Sequence, residues 1–568
     1  MNGCILRISI AVFLLVSGCL GQSSPSSDEQ SRFLETYRQA ENASQTKQWT
    51  RATVLWAEVT KDNPVTGVFW LHLADAYYNV QNYRPAIVAY QKAMDLGIDD
   101  VRSAIPYNIA RCFSRLGDRK LALGWFERAM QLGYRDLQAA QSDKDLGVLS
   151  DDPQFQTLVA SADVSTMSRD EGWRFDLNLM AREINRRGYA PFHSISHQEF
   201  DRRITALDAA IPTLSDMQII VAMMKLTAAI GDGHTMIYAF SERPEFLRNV
   251  PVEFALFQEG LFIIAAESRF SDLLGAQVIQ FGDHSEQEVL QGLDAIISRD
   301  NENSPKVVGP MRMRNLPLLA ALGLILDPTQ VAVTVRDLGG NLRTVTLPAD
   351  SDISSRKLWD GLPENWKRFV DTIPKPLPLY LRNPHKDYWY EYLPESKTVY
   401  LQWNHVHSDS TEPIGDFFDR IAGFIETHAV EKLAIDMRWN NGGDSVLLPS
   451  VLAGLIRDTK IDQSGKLFLI TGHRTFSAAQ NAVTLITRFT PAIVVGDTTG
   501  SSPNFIGEDA PTVLPYSKLM VSISDRYWES SWPTDYRSWI PPLLYIPPQF
   551  ADYRENRDSA LDAIVTYH

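Results

Sequence analysis

With 568 residues the chain exceeds one ordinary hydrophobic core, and at about 100 to 200 residues per domain it predicts three or four units. Its 44 % hydrophobic and 22 % charged residues are the proportions of a folded, water-facing protein. A net charge of −15, with no basic patch to offset it, argues against nucleic acid as a partner, because phosphate binding needs a cationic face.

The apolar segment ISIAVFLLV at 8–16 follows Arg7 and precedes SGC at 17–19; it is too short to span a bilayer and has the layout of an export signal. Val16, Ser17, Gly18 and Cys19 resemble a bacterial lipobox. That resemblance implies lipidation of Cys19 and an exported protein of the cell envelope, held to a membrane by its lipid; the plainer reading is a signal peptide cleaved near the same place. Residues 1–19 are therefore expected to be the signal, and GQSSPSSDEQ at 21–30 gives 20–31 the character of a flexible tether. Cys4 goes with the signal, and with Cys19 lipidated Cys112 has no disulfide partner. Its helix-period surroundings predict a buried packing role.

A shift of 36 residues superposes Leu73 on Ile109, Ala74 on Ala110, Tyr77 on Phe113, Ala86 on Ala122, Tyr90 on Phe126, Ala93 on Ala129 and Met94 on Met130. A degenerate copy with Ala40, Ala52 and Trp56 lies 34 residues before the first. Small residues where two helices cross, with aromatics filling beside them, resemble tetratricopeptide repeats, here spanning 32–135. Stacked repeats imply a groove for a peptide or a protein partner. A stabilising helical appendage is the plainer alternative.

A connector is expected at 136–165. From 166 to 240 the apolar spacing is helical, as in FDLNLMAREI and MQIIVAMMKLTAAI, and predicts a small bundle. It ends at GDGHTMIYAF, where two glycines break the helix and deliver Asp232 and His234 into a loop. Short alternating runs such as LFIIAA and VAVTVRD make 241–350 a β-rich module, and LLGAQVIQFGDHSEQEVLQGL at 273–293 faintly resembles the strand and helix of a PDZ domain. A Pro-rich linker covers 351–383. Beyond 384, strand-like KTVYLQWN, KLAIDMRWN, KLFLITG and AIVVGDTTG alternate with helical patterns near 412–428, 446–457 and 478–489, which predicts a layered α/β core to 568.

Three pieces of that core fall where strands end. DMRWNNGGD at 436–444 leaves its strand through two glycines, which free backbone N–H groups from any covering Cβ. Neighbouring N–H donors are what an oxyanion hole requires, although a tight turn explains the glycines equally. HRTFSAAQN at 473–481 puts Ser477 at the start of an Ala-rich helix, either as an N-cap or as a nucleophile whose developing charge the helix start would favour. VGDTTGSSPNFIGED at 495–509 is the third piece.

In this order, DMRWNNGG, TFSAAQ and VGDTTG resemble the tail-specific protease and tricorn-type family of serine peptidases, over roughly 166–568. The resemblance implies a ββα core like that of crotonase and Clp-type proteases. It implies Ser477 as nucleophile and an oxyanion hole made by the amides of Gly442 or Gly443 and Ala478. A serine at its free pKa is a weak nucleophile and needs a proton acceptor. The lysine of the processing branch falls on Ser502 here, and no lysine occurs between Lys466 and Lys518. The tricorn-like branch implies His234 as base, with Gly233 standing where that pattern has a serine. It also implies an orienting glutamate in RYWESSWPTD at 526–535: Glu529 is the identity match, Asp535 the competing position, and Asp232, Glu508 and Asp509 are further acids.

His405 and His407 in WNHVHSD could share one strand face and ligate a metal, but without a third ligand at suitable spacing no metal is expected. His193 and His197, beside Phe192 and Phe200, read as packing or surface residues. No HExxH, P-loop or GxGxxG occurs, and no cofactor is expected. The reading is a multidomain α/β, serine-type peptidase that hydrolyses polypeptide substrates with a Ser nucleophile and a His general base. Its alternative is a catalytically inactive peptide-binding scaffold on the same fold.

Overall fold

The computed structural model describes residues 27–98, 104–132, 134, 136–159, 164–238, 244–353, 361–373, 375–508 and 511–568. The expected signal segment with Cys19, and Asp509, lie outside them. The chain divides into two compact units, Met1–Ser161 and Ala162–His568.

In the first unit, alanines at the repeat positions let helices approach while aromatics fill the space beside them. The pairs are Ser27–Gln45 with Trp49–Asp62, Gly67–Asn79 with Tyr83–Asp95, and Ala104–Arg115 with Arg119–Gln131. Ala52, Ala86 and Ala122 are fully buried, with Trp56, Tyr90 and Phe126 packed in the same cores. Residues 27–31 of the expected tether already belong to the first helix. The expected connector is also structured, with helices Leu137–Ser142 and Pro153–Val159 flanking a 3-10 turn at Lys144–Leu149. Phe155 meets Phe126 edge-on at 5.0 Å, so this segment covers the apolar face that the last repeat would otherwise expose. Cys112 is buried within the stack, and burial pushes its thiol up to about 12, which suits packing and disfavours thiolate chemistry.

The second unit opens with the helices Arg169–Arg187, His197–Ala210 and Asp216–Ala228. Capping boxes Ser168/Glu171 and Ser215/Gln218 fix the first and third starts. An antiparallel sheet follows, in the order Val252–Phe257, Gly260–Glu267, Gln277–Phe281, Gln330–Arg336 and Leu342–Pro348. Bundle and sheet were expected as separate modules, but one cluster running from Trp173 to Val335 and Phe550 joins them. The Pro-rich linker is likewise absorbed in part: Trp366–Arg368 pairs with Gly260–Glu267, and Phe369 and Val370 enter the same core.

The last part builds a six-stranded sheet in the order Leu544–Tyr545, Ile493–Gly496, Leu467–Thr471, Lys432–Asp436, Thr398–Trp403, Tyr388–Leu393. All neighbours are parallel except the edge pair Thr398–Trp403 with Tyr388–Leu393. Thr398–Trp403, Leu467–Thr471 and Ile493–Gly496 are buried along their whole length, as strands covered on both faces must be. Helices Ile414–Thr427, Leu448–Arg457 and Ala478–Phe489 share one core cluster with the sheet. Ser559–Val565 and Leu379 belong to a second cluster, with Phe468 and Ile493. Parallel strands put their carboxyl ends on one edge, so the turns at 437–444, 472–477 and 497–502 meet there. Among the described residues no helix is long and apolar enough to cross a membrane.

Phe126 joins the last repeat to its covering helices, and Phe126→Ala is expected to cost about 3 to 5 kcal/mol in the first unit. Hydrogen exchange should then show faster opening of 104–159 with little change in the six-stranded sheet.

Candidate active site

Ser477 ends the turn after Leu467–Thr471 and precedes the helix Ala478–Phe489. Its backbone takes φ 54 and ψ −125, a conformation unfavourable for a residue with a Cβ, and its side chain makes no capping bond to that helix. The neighbouring residues hold this strain in place. Thr475 Oγ1 donates to Met437 O at 2.9 Å, Phe476 N donates to Asn440 O at 3.2 Å, and Gly500 N donates to Thr475 O at 2.8 Å. The Thr475–Phe476 pair therefore ties the two flanking turns to the serine.

His234 Nε2 lies 3.0 Å from Ser477 Oγ across 243 residues of chain. Its ring stacks on Phe476, with centroids 4.7 Å apart, and on Phe505 at 5.7 Å. The loop that carries it is held by Asp232, whose Oδ1 accepts from His234 N at 2.9 Å, from Thr235 N at 2.5 Å and from Ser524 Oγ at 2.6 Å. Met236–Ile237 then pairs antiparallel with Met520–Ser522, so a C-terminal strand fixes where the histidine loop lies.

Gly442 and Gly443 take φ 117 and 138. A Cβ on Gly442 would come within 2.7 Å of Ser477 Cβ, and one on Gly443 within 2.1 Å of Val406 O, so this close approach requires glycine at both positions. The sequence left the oxyanion donor open between them. Here the Gly442 amide donates to Asn440 Oδ1 at 3.0 Å. Among the described residues the Gly443 and Ala478 amides are not donated to a protein acceptor, and Ala478 is the first residue of its helix, where such an N–H has no intrahelical partner.

Glu529, the expected orienting acid, is not brought to the histidine. It sits on Arg526–Glu529, opposite Asn504 in a two-stranded ribbon, with its side chain exposed and no hydrogen bond to His234. Its strand pairs with the one carrying Phe505, so the segment shapes the wall behind the imidazole without supplying a carboxylate to it. Asp535 is committed elsewhere: hydrogen bonds from Arg537 hold its carboxyl well below the usual range. Glu508 is exposed at φ 76, and Asp232 is spent on its own turn. Ser502, at the position of the processing-branch lysine, donates to Ser538 O at 3.1 Å. His405 and His407 both bond Asp387, at 3.0 and 2.9 Å, and no group of three or more His, Cys, Asp or Glu among the described residues could hold a metal.

SRDNENS at 298–304 falls within the expected β-rich module, and nothing in the sequence singles it out. Ser298 Oγ donates to Thr235 O at 2.6 Å, Asn301 Nδ2 to Ser538 O at 2.7 Å, and Asn303 Nδ2 to Thr499 O at 2.9 Å. Asp300 Oδ1 accepts from Gly233 N at 2.6 Å. The segment thus clamps the histidine loop to the turn beside the serine. Burial pushes the Asp300 carboxyl up to about 7; the Asp232 charge adds to the rise, while hydrogen bonds from Ser501 and the Gly233 amide oppose it. The local signal was weak: a dense run of Asn, Asp and Ser after a helix, with nothing to say that it would be enclosed.

No protein-family model matches the chain, and no curated protein matches it. Among solved structures it is similar to mature CPAF complexed with lactacystin, at 11 % identity over 70 % of this chain and 99 % of that one, TM-score 0.49. It is also similar to the photosystem II D1 C-terminal processing protease, at 11 % identity over 68 % of this chain and 96 % of that one, TM-score 0.33. A shorter likeness, 17 % identical over 23 % of this chain and 87 % of that one with TM-score 0.17, is to the Yersinia enterocolitica type III secretion translocator chaperone SycD. The chemistry of the site is read from its own atoms.

Folded Asp300 binds its proton more tightly than an unfolded aspartate, so the native state carries the extra proton between the ordinary value and about 7. Stability contributed by this group is therefore present at low pH and lost as pH rises from about 4 to about 7. Thermal melts at pH values spanning that window should show a smaller fall in Asp300→Asn than in the wild type.

Proposed function

We propose that the chain is a serine hydrolase, and specifically a peptidase, in which Ser477 attacks a carbonyl and His234 takes its proton. The observation that carries this reading is the 3.0 Å bond between His234 Nε2 and Ser477 Oγ, made by a serine in a strained turn at a helix start. The imidazole accepts the hydroxyl proton as Oγ bonds to the carbonyl carbon, then returns it to the leaving amine. Negative charge gathers on the former carbonyl oxygen. The Gly443 and Ala478 amides supply donors beside the serine for that charge, and the helix start at Ala478 favours it further. Water then attacks the acyl-enzyme with the same histidine as base.

A polypeptide substrate follows from the resemblance of the three turns to tail-specific proteases, as does the PDZ-like and crotonase-like naming of the modules. The repeats would offer such a chain, or a protein partner, a docking surface. Export and lipidation at Cys19 belong to the same proposal and rest on the sequence at 8–19 alone. A wide gap between histidine and serine would favour the inactive-scaffold alternative, and the 3.0 Å pair does not.

A fluorophosphonate probe should label the wild-type chain and leave Ser477→Ala unlabelled. Serine-dependent cleavage of a denatured protein mixture, followed by mass spectrometry, should fall by about 10⁴-fold or more in Ser477→Ala and in His234→Ala, as loss of either member of such a pair does. Equal labelling of wild type and Ser477→Ala would refute the nucleophile assignment.

A further inference from the structure

Asp300 has an unusual set of neighbours for a carboxylate. Oδ1 accepts the N–H of Gly233, the residue immediately before His234, at 2.6 Å. Oδ2 is enclosed and accepts no hydrogen bond among the described residues. Ser501, whose hydroxyl is among the groups that pull the carboxyl's titration back down, accepts the N–H of Ser477 on its Oγ at a long 3.4 Å. A Cβ at Gly233 would stand 2.8 Å from the Phe476 ring and 3.0 Å from Asp300 Oδ1, so carboxyl, ring and backbone are already in contact around this peptide. One acid thus reaches the histidine loop directly.

Enclosing a carboxylate with one oxygen unbonded costs free energy, and no cation is among the groups that bond it or shift its titration. A packed aliphatic side chain would fill the same space without that cost. The gain lies in the acceptor oxygen itself, which an aliphatic side chain lacks and an amide would keep.

We propose that Asp300 is the positioning residue of the Ser477–His234 pair, holding the Gly233 peptide, and with it the imidazole, at bonding distance from the serine. It acts through the backbone, in place of the direct acid-to-imidazole contact expected of Glu529. This rests on the serine-hydrolase reading.

The test uses the full chain, with Asp300→Ala, Asp300→Asn and Asp300→Leu compared with wild type by two measurements. The first is the rate of fluorophosphonate labelling at Ser477. The second is hydrogen exchange, by mass spectrometry, of the peptide spanning 231–235. In Asp300→Ala we expect labelling slower by about 10- to 100-fold, the scale of a small misplacement of reacting groups, together with faster exchange at Gly233. Asp300→Asn, whose amide oxygen can accept the same N–H, should recover most of both. Asp300→Leu, which fills the space without accepting the N–H, should behave as Asp300→Ala does. Wild-type labelling and exchange in Asp300→Ala would overturn the proposal, and so would an Asp300→Asn variant no better than Asp300→Ala. Should Asp300→Ala fail to fold, labelling and exchange in Asp300→Leu equal to wild type would overturn it. If the wild type shows no Ser477-dependent labelling, the hydrolase reading fails, while the exchange measurement still judges whether Asp300 holds the histidine loop.

Discussion

A hydrogen bond of 3.0 Å between side chains 243 residues apart places a strict demand on everything around it. Such a bond weakens steeply with distance and angle, so two loops from different parts of the chain must be fixed to within a fraction of an ångström. The histidine loop is held on three sides. Asp232 closes its turn, Met236–Ile237 is paired with Met520–Ser522, and the 298–304 segment bonds it from outside. The serine turn is fixed by Thr475 and Phe476, whose backbone and hydroxyl reach both neighbouring turns.

The strain at Ser477 is stabilised by that framework. A non-glycine residue at positive φ costs on the order of 1 to 3 kcal/mol and persists only where surrounding bonds over-determine it. The same turn leaves Oγ pointing away from a cap and toward the imidazole. Gly442 and Gly443 complete the arrangement because side chains there would collide with Ser477 and Val406. The Arg438 guanidinium, bonded to Asp436 and Asp558 and lying over Tyr380, pins the strand end from which the Gly-Gly turn departs. Buried charges in that triad are paired, whereas Asp300 is enclosed with one oxygen unbonded. That contrast marks Asp300 as the acid whose placement needs a reason beyond packing.

Much of the sheet and its helices was legible because fully covered strands carry unbroken apolar runs. KTVYLQWN became Thr398–Trp403, KLFLITG became Leu467–Thr471, and the pattern near 478–489 became Ala478–Phe489. The repeat was legible for a different reason: alanines at crossing points and aromatics beside them recur at a fixed interval. Boundaries were less so. The expected connector at 136–165 and linker at 351–383 contribute helices, a strand and core residues, because short segments with weak periodicity are decided by the apolar surface they find to cover.

The sequence by itself determined the local chemistry: a serine ahead of an alanine-rich helix, paired glycines after a strand, a histidine between helix-breaking glycines. These are properties of a few adjacent residues, set by φ/ψ preference and hydrophobic period. The tertiary structure alone decided which groups meet. It left Glu529 exposed on a two-stranded ribbon, turned the Gly442 amide to Asn440 while leaving that of Gly443, and enclosed Asp300 beside the Gly233 peptide. Whether an acid is solvated or enclosed depends on chain segments far away in sequence, and its strength as a partner follows from that enclosure.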